Sequence, residues 1–223
     1  MKRDLSKYID HTVLKPDATS GDIKKLCAEA REQGFATVFV PSCYIRLAAT
    51  LLRKSGVKVG AAIGFPLGWA TTQTKMFEAR QAVKHGAREV DMVMNIGALK
   101  AGNFELVKKD IRKVVLTVGR KVSVKVILET GLLSEAEKVK ACELALAAGA
   151  HFVKTSTGTG HGGATVEDVK LMRSVVGDRM GVKASGGIRT YEQALALVEA
   201  GADRIGTSAG VQIVQGSKQR VDP

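Results

Sequence analysis

Short runs rich in β-branched residues alternate along this chain with longer stretches of helical character, and the alternation repeats eight times in 223 residues. Strand-like runs fall at residues 9–13, 36–40, 57–63, 89–95, 122–129, 151–155, 181–184 and from 204 to 206. Helical stretches fall at 19–34, 44–54, 72–85, 104–118, 134–148, 166–176 and 191–200, and a short helix at 209–214 ends the pattern. A strand followed by a crossover of a dozen or more residues is how a chain builds parallel pairing, with the helix covering one face of the sheet. Gly-Ala pairs at 86–87, 149–150 and 201–202 stop a helix in the left-handed conformation just before a strand. Ser134 and Glu137 form a capping box at the start of another helix. An open doubly wound sheet is disfavoured, because no Gly-x-Gly-x-x-Gly follows the first strand. No linker divides the chain, and a closed barrel needs roughly 200 to 250 residues. The expected fold is α/β, a single (β/α)8 TIM barrel occupying residues 1–223 as one catalytic domain.

Composition narrows the function classes. The formal charge of +12 comes from 34 basic and 22 acidic residues, but the basic residues are dispersed, aromatics are 4%, and no nucleic-acid-binding signature is present. The charge therefore reads as a solvated surface, and nucleic acid is not an expected partner. No apolar run approaches the roughly 20 residues of a membrane span, and the N-terminus turns polar before any signal-peptide core develops. Cys27, Cys43 and Cys142 are too few and too scattered for a disulfide or zinc framework. They fit a reducing, cytoplasmic setting, with Cys43 and Cys142 expected in the core or on helices.

In a barrel of this kind the active site lies at the C-terminal ends of the strands. The strand-like runs carry Glu89, Asp91 and Asn95, then Lys125 and Glu129, then Lys154, then Lys183. Alternation of faces sets Asp91 with Glu89, Val93 and Asn95, and Lys125 with Ile127 and Glu129. Lysine is rarely buried without a partner. Lys125 lies mid-strand with Glu129 available to neutralise it, so it reads as an ion-paired residue. Lys154 sits where its strand opens into Thr155-Ser156-Thr157-Gly158, and Lys183 precedes Ala184-Ser185-Gly186-Gly187. Two cations on neighbouring strands disfavour each other's charge and leave one amine neutral. A neutral amine attacks a carbonyl to form an imine.

Two glycine-rich segments, Ser185-Gly186-Gly187-Ile188 and Gly206-Thr207-Ser208-Ala209-Gly210, follow the seventh and eighth strands. Barrels commonly bind phosphate there, on backbone N–H groups and the N-terminus of a short helix. The same segments also suit plain tight turns. His11, His85, His151 and His161 make no metal set, and His161 reads as solvent-exposed. Thr157-Gly158-Thr159-Gly160 lacks the Gly-Lys-Ser/Thr of a nucleotide loop.

Seven segments, in order, resemble the deoxyribose-phosphate aldolase family: Ile9-Asp10-His11-Thr12-Val13-Leu14-Lys15-Pro16, Gly64-Phe65-Pro66-Leu67-Gly68, Glu89-Val90-Asp91-Met92-Val93, Lys125-Val126-Ile127-Leu128-Glu129-Thr130-Gly131, Phe152-Val153-Lys154-Thr155-Ser156-Thr157-Gly158, Val182-Lys183-Ala184-Ser185-Gly186-Gly187-Ile188-Arg189 and Gly206-Thr207-Ser208. The resemblance implies a class I aldolase, a carbon–carbon lyase that cleaves 2-deoxy-D-ribose 5-phosphate reversibly to acetaldehyde and D-glyceraldehyde 3-phosphate. It makes Lys154 the Schiff-base lysine and assigns proton shuttling to Asp91 and Lys183. It assigns Thr157, Gly186, Gly187, Gly206 and Ser208 to the substrate and its phosphate. It further implies no metal or other cofactor, a cytoplasmic location, and a homo-oligomer, dimer or tetramer. Three departures stand out. Ala209 replaces a serine common in the family, Ser185 replaces proline or alanine, and Gln219-Arg220-Val221-Asp222-Pro223 lacks the tyrosine of the family's tail, which is expected to be either absent or trimmed. The competing readings are another Schiff-base aldolase, a phosphate-binding barrel isomerase or synthase without imine chemistry, and a non-catalytic binding protein.

Overall fold

Each strand-like run enters one sheet, and the sheet closes on itself. In a computed structural model, which describes residues 3–218, eight parallel strands pair in sequence order around a closed barrel. They are β1 (Ile9–Thr12), β2 (Thr37–Val40), β3 (Lys58–Ile63), β4 (Glu89–Val93), β5 (Ser123–Ile127), β6 (Phe152–Lys154), β7 (Gly181–Ser185) and β8 (Arg204–Thr207). The helices between and after them are α1 (Ser20–Gln33), α2 (Ile45–Leu51), α3 (Thr72–His85), α4 (Ile96–Lys100), α5 (Phe104–Val118), α6 (Glu135–Ala147), α7 (Val166–Val176), α8 (Tyr191–Glu199) and α9 (Gly210–Lys218). The ring is closed by β1 on β8, with Asp10 beside Gly206. Helices cover the outside, so the outward strand residues Val38, Val90, Val124, Val126, Val153, Val182 and Ile205 are buried as a continuous apolar layer.

Helix ends follow their sequence signals. Thr19 with Asp22, Ser134 with Glu137, and Thr190 with Gln193 form capping boxes. The glycines of the three Gly-Ala pairs all take positive φ, at 114° for Gly86, 78° for Gly149 and 113° for Gly201. The turn after β3 is tied to α3, because the Gly64 N–H donates to Glu78 Oε2 at 2.6 Å. Beneath it Lys75 of α3 and Asp110 of α5 form a buried ion pair at 2.5 Å.

The interior is not the usual filling of branched aliphatic side chains. Register sets Phe39 beside Gly60, Asp91 beside Lys125, Phe152 beside Gly181, and Lys154 beside Lys183. The two glycines sit against the two rings: a Cβ at Gly60 would overlap the Phe39 ring, and one at Gly181 the Phe152 ring. Large and small residues thus interdigitate around an ionic centre.

Some boundaries differ from the sequence-based expectation. The fourth strand ends at Val93 rather than Asn95, because the Asn95 side chain accepts the Ala98 N–H at 3.0 Å and starts α4. The five residues of α4 are too few to register as a periodic pattern. The fifth strand stops at Ile127, and Glu129 turns out of it with φ 58°. Helix α2 is shorter than expected, and α9 continues past Val214 to Lys218. Cys43 is exposed in a 3-10 turn, Ser42–Tyr44, rather than buried in a helix or the core. The tail segment from Gln219 to Pro223 lies outside the described residues.

The packing of Phe39 predicts opposite effects for two glycine-to-alanine changes. Gly60→Ala, which drives a methyl into the Phe39 ring, should lower unfolding free energy by about 1–3 kcal/mol. Gly21→Ala, in the first turn of α1 with room for a Cβ, should raise it by roughly 0.4–1 kcal/mol. Urea midpoints of the two variants check this, and equal shifts would contradict the close packing of Phe39.

Candidate active site

The inward register of β4 to β7 draws three lysines onto one acid. Asp91 is 0% exposed. Its Oδ2 accepts from Lys154 Nζ at 2.9 Å and from Lys183 Nζ at 2.8 Å. Its Oδ1 accepts from Lys125 Nζ at 3.2 Å. Burial alone would push this carboxyl up; the charges of Lys125, Lys154 and Lys183 overcome it and hold Asp91 far below the usual carboxylate range.

Around this hub lies a second tier of charge. Lys125 also binds Glu89, and Arg204 reaches Glu89 at 2.6 and 2.7 Å. Burial opposes ionisation of Glu89, but Lys125 and Arg204 bring its pKa down to about 2. Burial likewise disfavours the Lys125 cation, yet Asp91, Asp10 and Glu89 outweigh that and raise its pKa. Asp10, on β1, lies 2.6 Å from Lys183 and 3.6 Å from Lys125, with Arg204 at 3.3 Å. The Phe39 ring faces the Lys183 amine at 3.9 Å, and Lys125 and Lys154 at 4.7 and 5.8 Å.

The proton of Lys183 is loosened. Burial is the main cause; Asp10 and Asp91 resist it, Lys154 and Lys125 reinforce it, and the pKa falls to about 8. An amine at that value exchanges protons readily near neutrality.

Above the cluster opens a cavity of about 500 Å³. Lys154, 5% exposed, is the member of the lysine group that lines it. Thr157, Gly186, Gly187, Gly206 and Ser208 line it too, so the structure brings all five sequence-selected binding candidates together. Gly186 and Gly187 have φ of 92° and 78°, which only glycine adopts freely. Thr207 Oγ1 donates to the Ile188 carbonyl at 2.7 Å and accepts the Ala209 N–H at 2.9 Å, joining the two glycine-rich loops. Asp91 and Lys183 lie below the cavity wall rather than in it.

Sequence reasoning passed over several residues here. Asp10, Lys15, Phe65 and Arg189 were not selected, although Lys15, Phe65 and Arg189 line the cavity and Asp10 pairs with Lys183. The available signal was their position inside the segments that carry the family resemblance. Glu129 does not neutralise Lys125 as expected; Glu89 and Asp91 do. His161 is exposed and does not line the cavity. Among the described residues no His, Cys, Asp and Glu group is arranged to hold a metal ion.

Comparison with known proteins agrees with this geometry. Residues 5–216 match the model for the DeoC/LacD family of aldolases. A deoxyribose-phosphate aldolase of Thermococcus gammatolerans is 62% identical over 218 residues, covering 96% of this chain and 97% of that one. One from Caldanaerobacter subterraneus is 59% identical over 218 residues, covering 97% and 94%. The solved tetrameric deoxyribose phosphate aldolase of Aeropyrum pernix superposes with a TM-score of 0.90 at 37% identity, covering 97% of this chain and 92% of that one. A closed eight-stranded barrel, a lysine-centred site beneath a glycine-rimmed cavity and these full-length similarities lead to one conclusion: the chain belongs to the DeoC/LacD family of aldolases, enzymes that are carbon–carbon lyases.

Proposed function

We propose that the chain is a deoxyribose-phosphate aldolase that reversibly cleaves 2-deoxy-D-ribose 5-phosphate to acetaldehyde and D-glyceraldehyde 3-phosphate through a Schiff base on Lys154, in the catabolism of deoxyribose phosphate. One observation carries the reading: the Lys154 and Lys183 amines meet on a single oxygen of Asp91, at 2.9 and 2.8 Å, under a cavity lined by Gly186, Gly187, Gly206 and Ser208. The Lys154 amine, open to the cavity, adds to the C1 aldehyde; loss of water from the carbinolamine, with one proton drawn from solvent, gives the protonated imine. The neutral Lys183 amine, below the cavity wall, takes the C3 hydroxyl proton through a water molecule. The C2–C3 electron pair then flows into the imine as glyceraldehyde 3-phosphate leaves. The Lys183 ammonium returns the proton to C2 of the enamine through the same water, and water hydrolyses the acetaldehyde imine, which frees Lys154 and releases to solvent the proton taken up at imine formation. Asp91 stays anionic and joins the two amines through one oxygen, so the shuttled proton rests on a lysine.

The phosphate is assigned to the backbone N–H groups of Gly186 and Gly187 and to Ser208, with Gly206 and Thr157 lining the same cavity. The chemistry uses no cofactor. A cytoplasmic location is supported by three free cysteines and is compatible with the finding that no helix among the described residues is long and apolar enough to cross a membrane. A homo-oligomer, dimer or tetramer, is supported by exposed Trp69, Phe77 and Leu116 and by the tetrameric A. pernix relative.

Borohydride added with acetaldehyde should fix an ethyl group on the peptide containing Lys154, and Lys154→Leu should abolish both the adduct and retro-aldol turnover while the protein stays folded. Label on Lys125 or Lys183 refutes the assignment, and no label refutes imine chemistry. The Lys183 pKa of about 8 sets a sign for pH dependence. Because the neutral amine is the base, kcat/KM should rise through a limb centred near pH 8. Asp91→Asn removes an anion 2.8 Å from Lys183, lowers that pKa further and moves the limb to lower pH. Lys183→Leu should remove the limb and cut kcat/KM by about 10²–10⁴. A wild-type profile flat from about pH 7 to about pH 9 would show that Lys183 does not titrate in the cycle. Ser208→Asp should raise KM for the phosphorylated sugar far more than for unphosphorylated deoxyribose, through like-charge repulsion; equal effects on the two substrates would remove the phosphate assignment.

A further inference from the structure

One buried acid of the site stands outside the ionic cluster. Glu129 is 1% exposed and has φ 58° and ψ 62°. A glycine would take that left-handed conformation without steric cost, whereas a glutamate carries its Cβ into the following carbonyl. Strain of this kind persists where the surrounding structure makes use of it.

The contacts around Glu129 indicate what that use is. The Leu128 N–H donates to the Lys154 carbonyl at 2.9 Å, and the Thr130 N–H donates to the Thr155 carbonyl at 3.0 Å. The chain therefore runs along β6 and past its end on both sides of the kink. The Glu129 carboxylate accepts the Thr157 N–H through both oxygens, at 3.3 and 3.2 Å. Gly131 backs onto the His161 carbonyl with no room for a Cβ. On its other side the same loop is pinned to the glycine-rich rim, where the Ala164 N–H donates to the Gly186 carbonyl at 3.2 Å. Within the loop, Thr157 and Thr159 pair through their hydroxyls at 2.7 Å.

We infer that Glu129 is a positioning residue: its carboxylate fixes the Thr155–Gly158 segment that follows the imine-forming lysine, and thereby sets the cavity wall against the phosphate-bearing end of the substrate. The inference rests on the aldolase reading. It accounts for a glutamate at a position where glycine would be free of strain, since glycine has no acceptor to offer Thr157. Glu129 touches no substrate; it acts through Thr157 and Gly158, which line the cavity.

Three variants separate this role from a merely structural one. Glu129→Ala and Glu129→Gly both lose the acceptor, and both should raise KM for the phosphorylated sugar about tenfold or more, the scale of one charge-assisted hydrogen bond. Glu129→Gly also relieves the left-handed strain, so its urea midpoint should equal or exceed that of Glu129→Ala while its KM is no better. Glu129→Gln keeps a carbonyl oxygen for the Thr157 N–H and should stay within about threefold of wild type in KM. KM unchanged in the alanine and glycine variants, KM recovering with stability in Glu129→Gly, or Glu129→Gln as impaired as Glu129→Ala would each overturn the inference. Acetaldehyde trapping on the wild-type protein is the separate control. A wild type that forms no adduct sinks the aldolase reading and this inference with it, whereas a wild type that traps acetaldehyde leaves the variants to decide on Glu129 alone.

Discussion

Everything in the site hangs on the Asp91 carboxylate. It is fully removed from water, a condition in which an unpaired carboxylate takes up a proton instead of bearing charge. Lys125 on one oxygen, with Lys154 and Lys183 on the other, reverses that balance. The dependence is mutual. Each long lysine side chain has many rotamers, and a shared acceptor selects one for each. The two amines therefore converge because they are bound to the same atom. Parallel register supplies the rest, since Asp91 pairs across β4–β5 with Lys125, and Lys154 pairs across β6–β7 with Lys183.

The wider cluster is unbalanced, and the imbalance falls on one residue. Five basic side chains, Lys58, Lys125, Lys154, Lys183 and Arg204, meet three acids, Asp10, Glu89 and Asp91. Lys125 and Arg204 are held as cations by the carboxylates around them, both pKa values being raised against the effect of burial. The excess positive charge bears on Lys183, where Lys154 and Lys125 add to the larger effect of burial. The sequence reading expected two neighbouring cations to leave one amine neutral. Burial, more than the neighbouring cations, loosens the proton of Lys183, to about 8. This makes Lys183 better suited to exchanging protons than to serving as a permanent charge.

How far the sequence could be read depends on the range of the signal. The barrel was legible because the alternation of strand and helix is local and repeated. Lys154 and Lys183 stood out because a lysine at a strand end, followed by a polar or glycine-rich loop, has few packing explanations. Asp10 did not. It lies in a strand of four residues, and its partners come from β5, β7 and β8, far away in sequence. Only closure of β1 onto β8 brings them together. Glu129 was misread for a different reason. Two-residue alternation kept it on the face of Lys125, but a left-handed turn at Glu129 ends that alternation and sends the carboxylate to Thr157. Helix α4 was missed because the Asn95 cap that starts it sits in an apolar run that also reads as strand.

An ionic barrel interior is a poor means of stability. Desolvating two charges costs about as much as their attraction returns, and apolar residues of similar volume would hold such a space as well or better. The Lys75–Asp110 pair makes the contrast useful. It is as buried as the central cluster, at 0% and 2% exposed, and as closely paired, at 2.5 Å. Yet it joins α3 to α5 and does not line the cavity above Asp91, so the same physics there yields only a link between two helices. The cluster around Asp91 differs in one respect, that Lys154 carries its edge into a cavity large enough for a small substrate. Burial makes the charges sensitive to one another, and access opens that sensitivity to a molecule in the cavity. The two together, rather than either alone, set this end of the barrel apart and carry the proposal that the reaction takes place there.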